Sequence, residues 1–436
     1  MIPISLEQVA GLCEGALTIA SGATEISGVV IDSRRVEPGD LFVVVGRGAE
    51  FTDQALESGA AAVLVPGDAE FALSALAGVV RERSSARVVA ITGSTGKTST
   101  KDILASLCSP QAKVVAAEAS FNNELGIPLT LCRIESDTEI ALVEIGMRGL
   151  GQIGDACRFV RPHIGLITSV GPVHLELLGT VERVAQAKAE VLSGLERNGV
   201  GIIPADEPLL EPFLPDEVEI RRFGAGGSSS LVSFEPGEEV SRAVFEIEGE
   251  RIDLELPLNA RHQALNALAA LVAYRELDLP LDRAQEGART IRLSRWRGEE
   301  TTLTGGGLLI NDAYNANPTS LAAALEHQEQ VAAGRRRVAV LGTMAELGSE
   351  SDRYHREIGR HAAELGVDAV LAVGEPARAY LEEIGGAMRC EWAPDADGAV
   401  VVAKEMVRPG DCVLVKGSRV VGLERVAEAL AGLSAG

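Results

Sequence analysis

Aromatic residues are scarce in this chain of 436 residues: two Trp, four Tyr and nine Phe make up 3% of it. A single-stranded nucleic-acid surface needs aromatic platforms for stacking, so that class is disfavoured. Positive charge is in deficit as well, with 40 Lys plus Arg against 63 Asp plus Glu and a formal net charge of −23. Nucleic-acid affinity rests on neutralising phosphates, so the balance speaks against nucleic acid or an anionic membrane as a partner, while a local pocket can still hold one small anion. The six cysteines, at 13, 108, 132, 157, 390 and 412, never form C-x-x-C. Neither a zinc knuckle nor a disulfide framework is suggested, and reduced thiols are expected. No run of about 18 uncharged apolar residues occurs, and Met1 to Gly22 lacks a basic segment followed by an apolar one. The expectation is a cytoplasmic protein, monomeric, with no membrane partner. Lysine is the rarest charged residue, confined to Lys97, Lys101, Lys113, Lys188, Lys404 and Lys416.

What is present fits a globular protein of several domains: 46% of the residues are apolar and 24% charged. At roughly 100 to 200 residues per domain, three domains is the central expectation. Up to Ser84, short apolar runs between turn signals (Val29 to Ile31, Leu41 to Val45, Ala61 to Val65) read as a small α/β domain, residues 1–84. The polar stretch Arg81 to Arg87 reads as a connector. From Val88, continuous apolar runs at Val88 to Thr92, Ile140 to Ile145, Ile164 to Val170 and Val200 to Ile203 alternate with helical stretches, the pattern of a buried parallel sheet. Gly224 to Ser230 reads as a loop, Leu231 to Leu258 as antiparallel strands and Arg261 to Glu276 as a helix. This central domain spans 85–298. Runs at Leu308 to Asn311, Val338 to Leu341, Ala369 to Val373 and Cys412 to Val415 predict a third, Rossmann-like domain over 299–436. The fold class is thus α/β throughout.

The sharpest motif is Gly93-Ser94-Thr95-Gly96-Lys97-Thr98-Ser99, between the run Val88 to Thr92 and a helix-compatible segment from Thr98 to Cys108. Small residues let backbone N–H groups converge on phosphate oxygens, and the helix N-terminus adds favourable potential. Lys97 can then reach the outer phosphates, and Thr98 can offer a hydroxyl to Mg²⁺. ATP or GTP is the implied ligand. The first Gly of the general phosphate-loop pattern is replaced by Ile91. Glu144 ends the apolar run from Ile140, the usual way to hold the metal of such a site, although strands ending in an exposed Glu are common. His174 follows a Gly-Pro turn just beyond a strand's carboxyl end, where α/β sheets bind ligands. On spacing alone it suits a structural histidine equally. Lys188, in a helix-like segment, fits a solvated lysine or, in an Arg-dominated chain, chemistry that guanidinium cannot do, such as carbamylation of a neutral amine. Asn311 to Pro318 and Lys416 to Arg419 follow strands and suit either turn chemistry or an anionic ligand.

Together these segments resemble the Mur ligase family of ATP-dependent amide ligases, over essentially the whole chain. The family's own phosphate loop lacks the distant first Gly, which accounts for Ile91. Asp32-Ser33-Arg34 followed by Pro38-Gly39-Asp40-Leu41-Phe42 is similar to its uridine-nucleotide domain, implying that Ser33 and Arg34 bind substrate. Ser120 to Thr130 looks like the family's Asn-Asn-x-x-Gly-x-Pro segment, which makes Asn122 and Asn123 substrate contacts. Glu144-Ile145-Gly146 resembles the metal strand and His174 the metal-site histidine. By the same resemblance Lys188 is a carbamylated lysine at a second Mg²⁺, so that Thr98, Glu144, His174 and Lys188 form the metal set and Lys97, His174 and Lys188 the catalytic one. ATP would meet Gly93 to Ser99, Asn266 of the His262 to Ala267 segment, Arg295 and Asp312. Asp312 to Pro318 and Leu341 to Gly348 are similar to the family member that joins D-Ala-D-Ala to UDP-N-acetylmuramoyl-tripeptide in peptidoglycan synthesis, with Tyr314, Asn315 and Asn317 as substrate contacts. Lys416-Gly417-Ser418-Arg419 matches that member's C-terminal turn. The alternatives are a sister ligase adding one amino acid, a folylpolyglutamate-type ligase, a phosphate-loop hydrolase or switch, and a nucleotide-gated scaffold.

Overall fold

The computed structural model describes residues 1–237, 239–384 and 388–432. The chain folds into two compact units. The first comprises Met1–Ser169, Gln186–Pro257 and Leu265–Arg292, and the second Val170–Ala185, Leu258–Ala264 and Leu293–Gly436.

Within the first unit, a four-stranded sheet runs Gly15–Ile19, Ala62–Pro66, Asp40–Val43 and Gly28–Val30 in spatial order. It also holds an antiparallel pair, Ile4–Ser5 with Glu25–Ile26, and a nine-stranded sheet: Glu250–Leu256, Ser241–Ile247, Ser229–Glu235, Glu219–Phe223, Val200–Pro204, Ile164–Ile167, Arg87–Thr92, Ile140–Glu144 and Val114–Ala116. The last seven strands of that sheet run parallel, and the first three pair antiparallel with one another. The reason lies in the sequence: Ile140–Glu144 is buried at every position, whereas Glu250–Leu256 alternates exposed with buried. The helix Ala69–Arg83 packs on the helices Gly126–Leu131 and Gln152–Val160. The segment before Ser84 therefore has its own sheet yet belongs to the same compact unit as the large one.

The connector expected at Arg81 to Arg87 shrinks to Ser84–Ala86, because Arg81 to Arg83 complete the helix and Arg87 opens a strand. Arg81 is 5% exposed, and its guanidinium donates to the Val160 and Arg161 carbonyls at 3.0 and 2.9 Å. A buried cation spent on backbone oxygens has the same local sequence signature as a polar linker. The strand expected to reach Val170 stops at Ile167, freeing Thr168 and Ser169 for the phosphate loop, and Ser229 and Ser230 join a strand instead of the preceding loop. The helix Arg261–Glu276 has the expected bounds.

The second unit holds a six-stranded sheet, ordered Glu299–Leu303, Gly307–Asp312, Cys412–Lys416, Arg337–Gly342, Ala369–Val373 and Arg389–Ala393. Only its first pair is antiparallel. Val338, Val340, Leu371, Val413 and Val415 line its core, as the continuous apolar runs require. Among the described residues no helix is long and apolar enough to cross a membrane.

Candidate active site

Gly93 to Ser99 leaves the carboxyl end of the strand Arg87–Thr92, which lies between Ile140–Glu144 and Ile164–Ile167. Ile91 pairs with Glu144 on one side and Thr92 with Ile167 on the other, so both neighbouring strands end beside the loop. A switch in strand order at such a point opens a crevice for a ligand. Gly96 caps the helix Lys97–Cys108 with φ of 81°, and a Cβ there would overlap Asn266 Oδ1. That conformation and that approach require glycine. Thr168 and Ser169 set the loop's shape. The Ser94 N–H donates to the Ser169 carbonyl at 2.9 Å, and the Thr95 N–H donates to Ser169 Oγ at 2.9 Å. Thr168 Oγ1 donates to the Thr92 carbonyl at 3.2 Å. Lys97 Nζ donates to the Gly93 carbonyl at 2.6 Å, folded back over the loop.

Beneath the loop, Glu144 is 1% exposed and receives two donors. Thr98 Oγ1 reaches one carboxylate oxygen at 2.8 Å and Asn122 Nδ2 the other at 2.7 Å. A buried carboxylate beside a hydroxyl, facing a loop built for phosphates, is a hard oxygen donor set that suits Mg²⁺. Asn123 Oδ1 accepts from the Gly126 N–H at 2.9 Å. Lys101 Nζ donates to the Ala117 and Ala119 carbonyls, 2.7 Å each, and so braces the approach to Asn122. Lys188 is 2% exposed, and burial, with the positive charge of Lys97, holds its amine well below the usual lysine range. A neutral, nucleophilic amine is what carbamylation needs. In the segment before Ser84, Ser33 is buried with its Oγ 3.4 Å from Gln54 Oε1, and Arg34 pairs with Asp32, whose carboxyl that hydrogen bond lowers to about 2.

The second unit gathers most of the remaining candidates. Asp312 and Lys416 are register partners on adjacent parallel strands, and Lys416 Nζ meets Asp312 Oδ2 at 2.6 Å and the Asn315 carbonyl at 2.9 Å. Ser418 Oγ donates to the Ala316 carbonyl at 3.2 Å and accepts from the Ala345 N–H at 2.9 Å, so the Lys416 to Arg419 turn ties both neighbouring segments. The Arg419 and Arg295 guanidinium carbons lie 4.6 and 5.4 Å from the Trp296 ring centre, and that of Arg297 lies 4.1 Å from Tyr314. Asn317 caps the helix Pro318–Val331 through a reciprocal pair with Ser320, a structural task for a residue expected to contact substrate. His174 precedes the short helix Leu175–Leu178, and its Nδ1 is hydrogen-bonded to Glu346. Among the described residues no three His, Cys, Asp or Glu converge into a metal-binding group.

Two family models match the chain: the Mur ligase middle domain over residues 91–274 and the Mur ligase, glutamate ligase domain over residues 296–419. Over 99% of both chains, the sequence is 32% identical to the UDP-N-acetylmuramoyl-tripeptide--D-alanyl-D-alanine ligase of Bacillus subtilis. The chain belongs to the Mur ligase family. Among solved structures, this Mur ligase is similar to a crystal structure of MurF from Acinetobacter baumannii, with a TM-score of 0.87, 28% identity and 99% of each chain covered. MurF from Thermotoga maritima in complex with ADP follows at 0.81, with 28% identity, 94% of this chain and 98% of that one.

The sequence alone did not single out Thr168, Ser169, Lys101 or Glu346 as functional residues of this Mur ligase. Thr168 and Ser169 could have been found as hydroxyls ending an apolar run. Lys101 could have been found as a lysine at a core-facing helix position. Glu346 lies in the Leu341 to Gly348 segment that carries the resemblance, but its pairing with His174, 172 residues away, is not legible there.

Proposed function

We propose that this Mur ligase joins D-alanyl-D-alanine to UDP-N-acetylmuramoyl-tripeptide at the expense of ATP, in the cytoplasmic synthesis of peptidoglycan precursor. The observation that carries the chemistry is the convergence of Thr98 and Asn122 on buried Glu144 under the phosphate loop. The choice of acceptor rests on similarity over 99% of both chains to ligases of that name. The reading divides the chain into a UDP-substrate domain at 1–84, an ATP domain at 85–298 and a dipeptide-binding domain at 299–436.

The peptide carboxylate attacks the γ-phosphorus of ATP, ADP leaves, and an acyl phosphate results. The dipeptide amine then attacks the acyl carbon, loses its proton and expels inorganic phosphate. Catalysis of this kind is mainly positioning and charge neutralisation. The Gly93 to Ser99 backbone and Lys97 cradle the phosphates, with Asn266, Arg295 and Asp312 as further nucleotide contacts. Thr98 and Glu144 hold Mg²⁺; His174 and the carbamate of Lys188 are each further Mg²⁺ ligands. Mg²⁺, when bound, neutralises charge on the transferring phosphoryl group. Ser33, Arg34, Asn122 and Asn123 face the UDP-peptide, and Tyr314, Asn315 and Asn317 the incoming dipeptide. The enzyme works as a monomer on small molecules, without nucleic acid or membrane.

Phosphate release from ATP, measured with UDP-N-acetylmuramoyl-tripeptide and either D-Ala-D-Ala or single amino acids, tests this. Release should require both substrates and prefer the dipeptide. Preference for a free amino acid would make the chain a sister ligase, and release without any acceptor a hydrolase. Lys188→Ala should lose activity by about 10³-fold and recover part of it with short carboxylic acids, an outcome a merely structural lysine would not give.

A further inference from the structure

His174 lies inside the range matched by the middle-domain model, 91–274, yet the segment Val170–Ala185 belongs to the second unit. Three interactions hold it there. The His174 Nδ1 meets Glu346 Oε2. The Glu176 N–H donates to the Glu346 carbonyl at 3.1 Å. Gly348 lies against Glu176, so that a Cβ on it would come within 3.1 Å of the Glu176 Cα, and its φ of +57° favours glycine. His174 and Glu346 themselves have φ of 54° and 62°, left-handed conformations that residues other than glycine seldom adopt. Such backbone cost persists where the surroundings over-determine it, and it clusters at functional sites. The His174 carbonyl also accepts from the Leu177 and Leu178 N–H groups at 3.1 and 2.9 Å, which fixes the base of the ring.

We infer that Glu346 is a positioning residue for His174: its carboxylate accepts a hydrogen bond from Nδ1–H, fixes that tautomer and leaves Nε2 with a lone pair for a divalent cation. An imidazole binds metal through one nitrogen, and the hydrogen bond at the other decides which. A carboxylate at Nδ1 also raises the donor strength of Nε2. A residue of the glutamate ligase domain range, 296–419, thus prepares a ligand of the middle domain range. The inference rests on the reading of His174 as a metal ligand.

Two measurements separate the failure of one from the failure of the other. The first is the tautomer of His174 in the metal-free full chain, read by long-range ¹H–¹⁵N correlation; the chain has only six histidines, and His174→Ala identifies the signal. The Nδ1–H form should dominate in the wild type and lose that dominance in Glu346→Gln. The second is Mn²⁺ binding with a non-hydrolysable ATP analogue, followed by electron paramagnetic resonance. His174→Ala should lose one bound Mn²⁺, and Glu346→Gln should weaken that ion by about 10- to 100-fold. Unchanged Mn²⁺ stoichiometry in His174→Ala would sink the metal reading and leave the tautomer result to judge Glu346. An unchanged tautomer in Glu346→Gln, or unchanged Mn²⁺ affinity beside a loss in His174→Ala, overturns the inference.

Discussion

The phosphate loop of the first unit and the Asp312 to Lys416 cluster of the second are both built at the carboxyl ends of parallel strands, but from different kinds of sequence. The loop is one continuous turn, Gly93 to Ser99, whose buried carboxylate partner ends the neighbouring strand. The cluster joins residues 104 positions apart, and its ion pair sits on two central strands of its sheet. A loop that owes its shape to glycine and backbone hydrogen bonds can lose a side-chain charge without unfolding. A buried ion pair between central strands cannot lose one partner without leaving the other uncompensated. The first site should therefore fail chemically when altered, and the second should fail structurally.

Glu144→Gln tests the first half of that contrast and carries the largest expected effect. The amide removes the charge, keeps an oxygen to accept from Asn122 Nδ2, and can donate from its nitrogen to the Thr98 hydroxyl. Phosphate release should fall by about 10²- to 10³-fold, with the urea unfolding midpoint near that of the wild type. A large stability loss would erase the distinction. Asp312→Ala addresses the other half: it strands Lys416, which is 3% exposed. The second unit should lose about 3 kcal/mol, seen as an earlier urea transition, and an unshifted transition would break the comparison.

A smaller effect separates the units by pH. His262, in the second unit, is pushed down to about 3 from 6.5 by burial, and by the nearby His327 and Lys416. Its folded form stays neutral while the unfolded chain takes up a proton below about 6.5. The stability it contributes is complete above that pH and is lost as pH falls toward 3, by at most ~1.4 kcal/mol per unit. His262→Gln should flatten the slope of stability between pH 7 and 5; an unaltered slope would remove His262 as its cause. The smallest effect concerns thiols. Cys108, Cys132 and Cys157 in the first unit are pushed up to about 12 by burial, whereas Cys390 in the second is partly exposed. A native thiol titration should modify Cys390 alone, and rapid labelling of Cys157 would contradict the burial.

Legibility in the sequence follows the same division. Strands buried on both faces announce themselves as continuous apolar runs, so the parallel core and the helix Arg261–Glu276 are readable in place. The phosphate loop and Glu144 are readable because function there is written in adjacent residues. The sequence does not show that Ser169 and Thr168 spend their polar groups on the loop's backbone, or that Asn317 caps a helix, because Ser, Thr and Asn serve ligand and turn with the same atoms. Nor is Arg81 distinguishable from a linker arginine until the Val160 and Arg161 carbonyls come to meet it. The sequence shows a separate run of strands before Ser84, but not what that segment packs against. Its helix Ala69–Arg83 lies on the helices Gly126–Leu131 and Gln152–Val160, within one compact unit.

The clasp between His174 and Glu346 has a consequence for how the polypeptide is made. The ribosome delivers the histidine 172 residues before its partner. At 5–20 residues per second that is a wait of roughly 10 to 30 s, during which most of the first unit can fold while the 170–185 segment is still without Glu346 and Gly348. A fragment cut at residue 274, where the middle-domain match ends, would carry that segment without its later partner for as long as it exists.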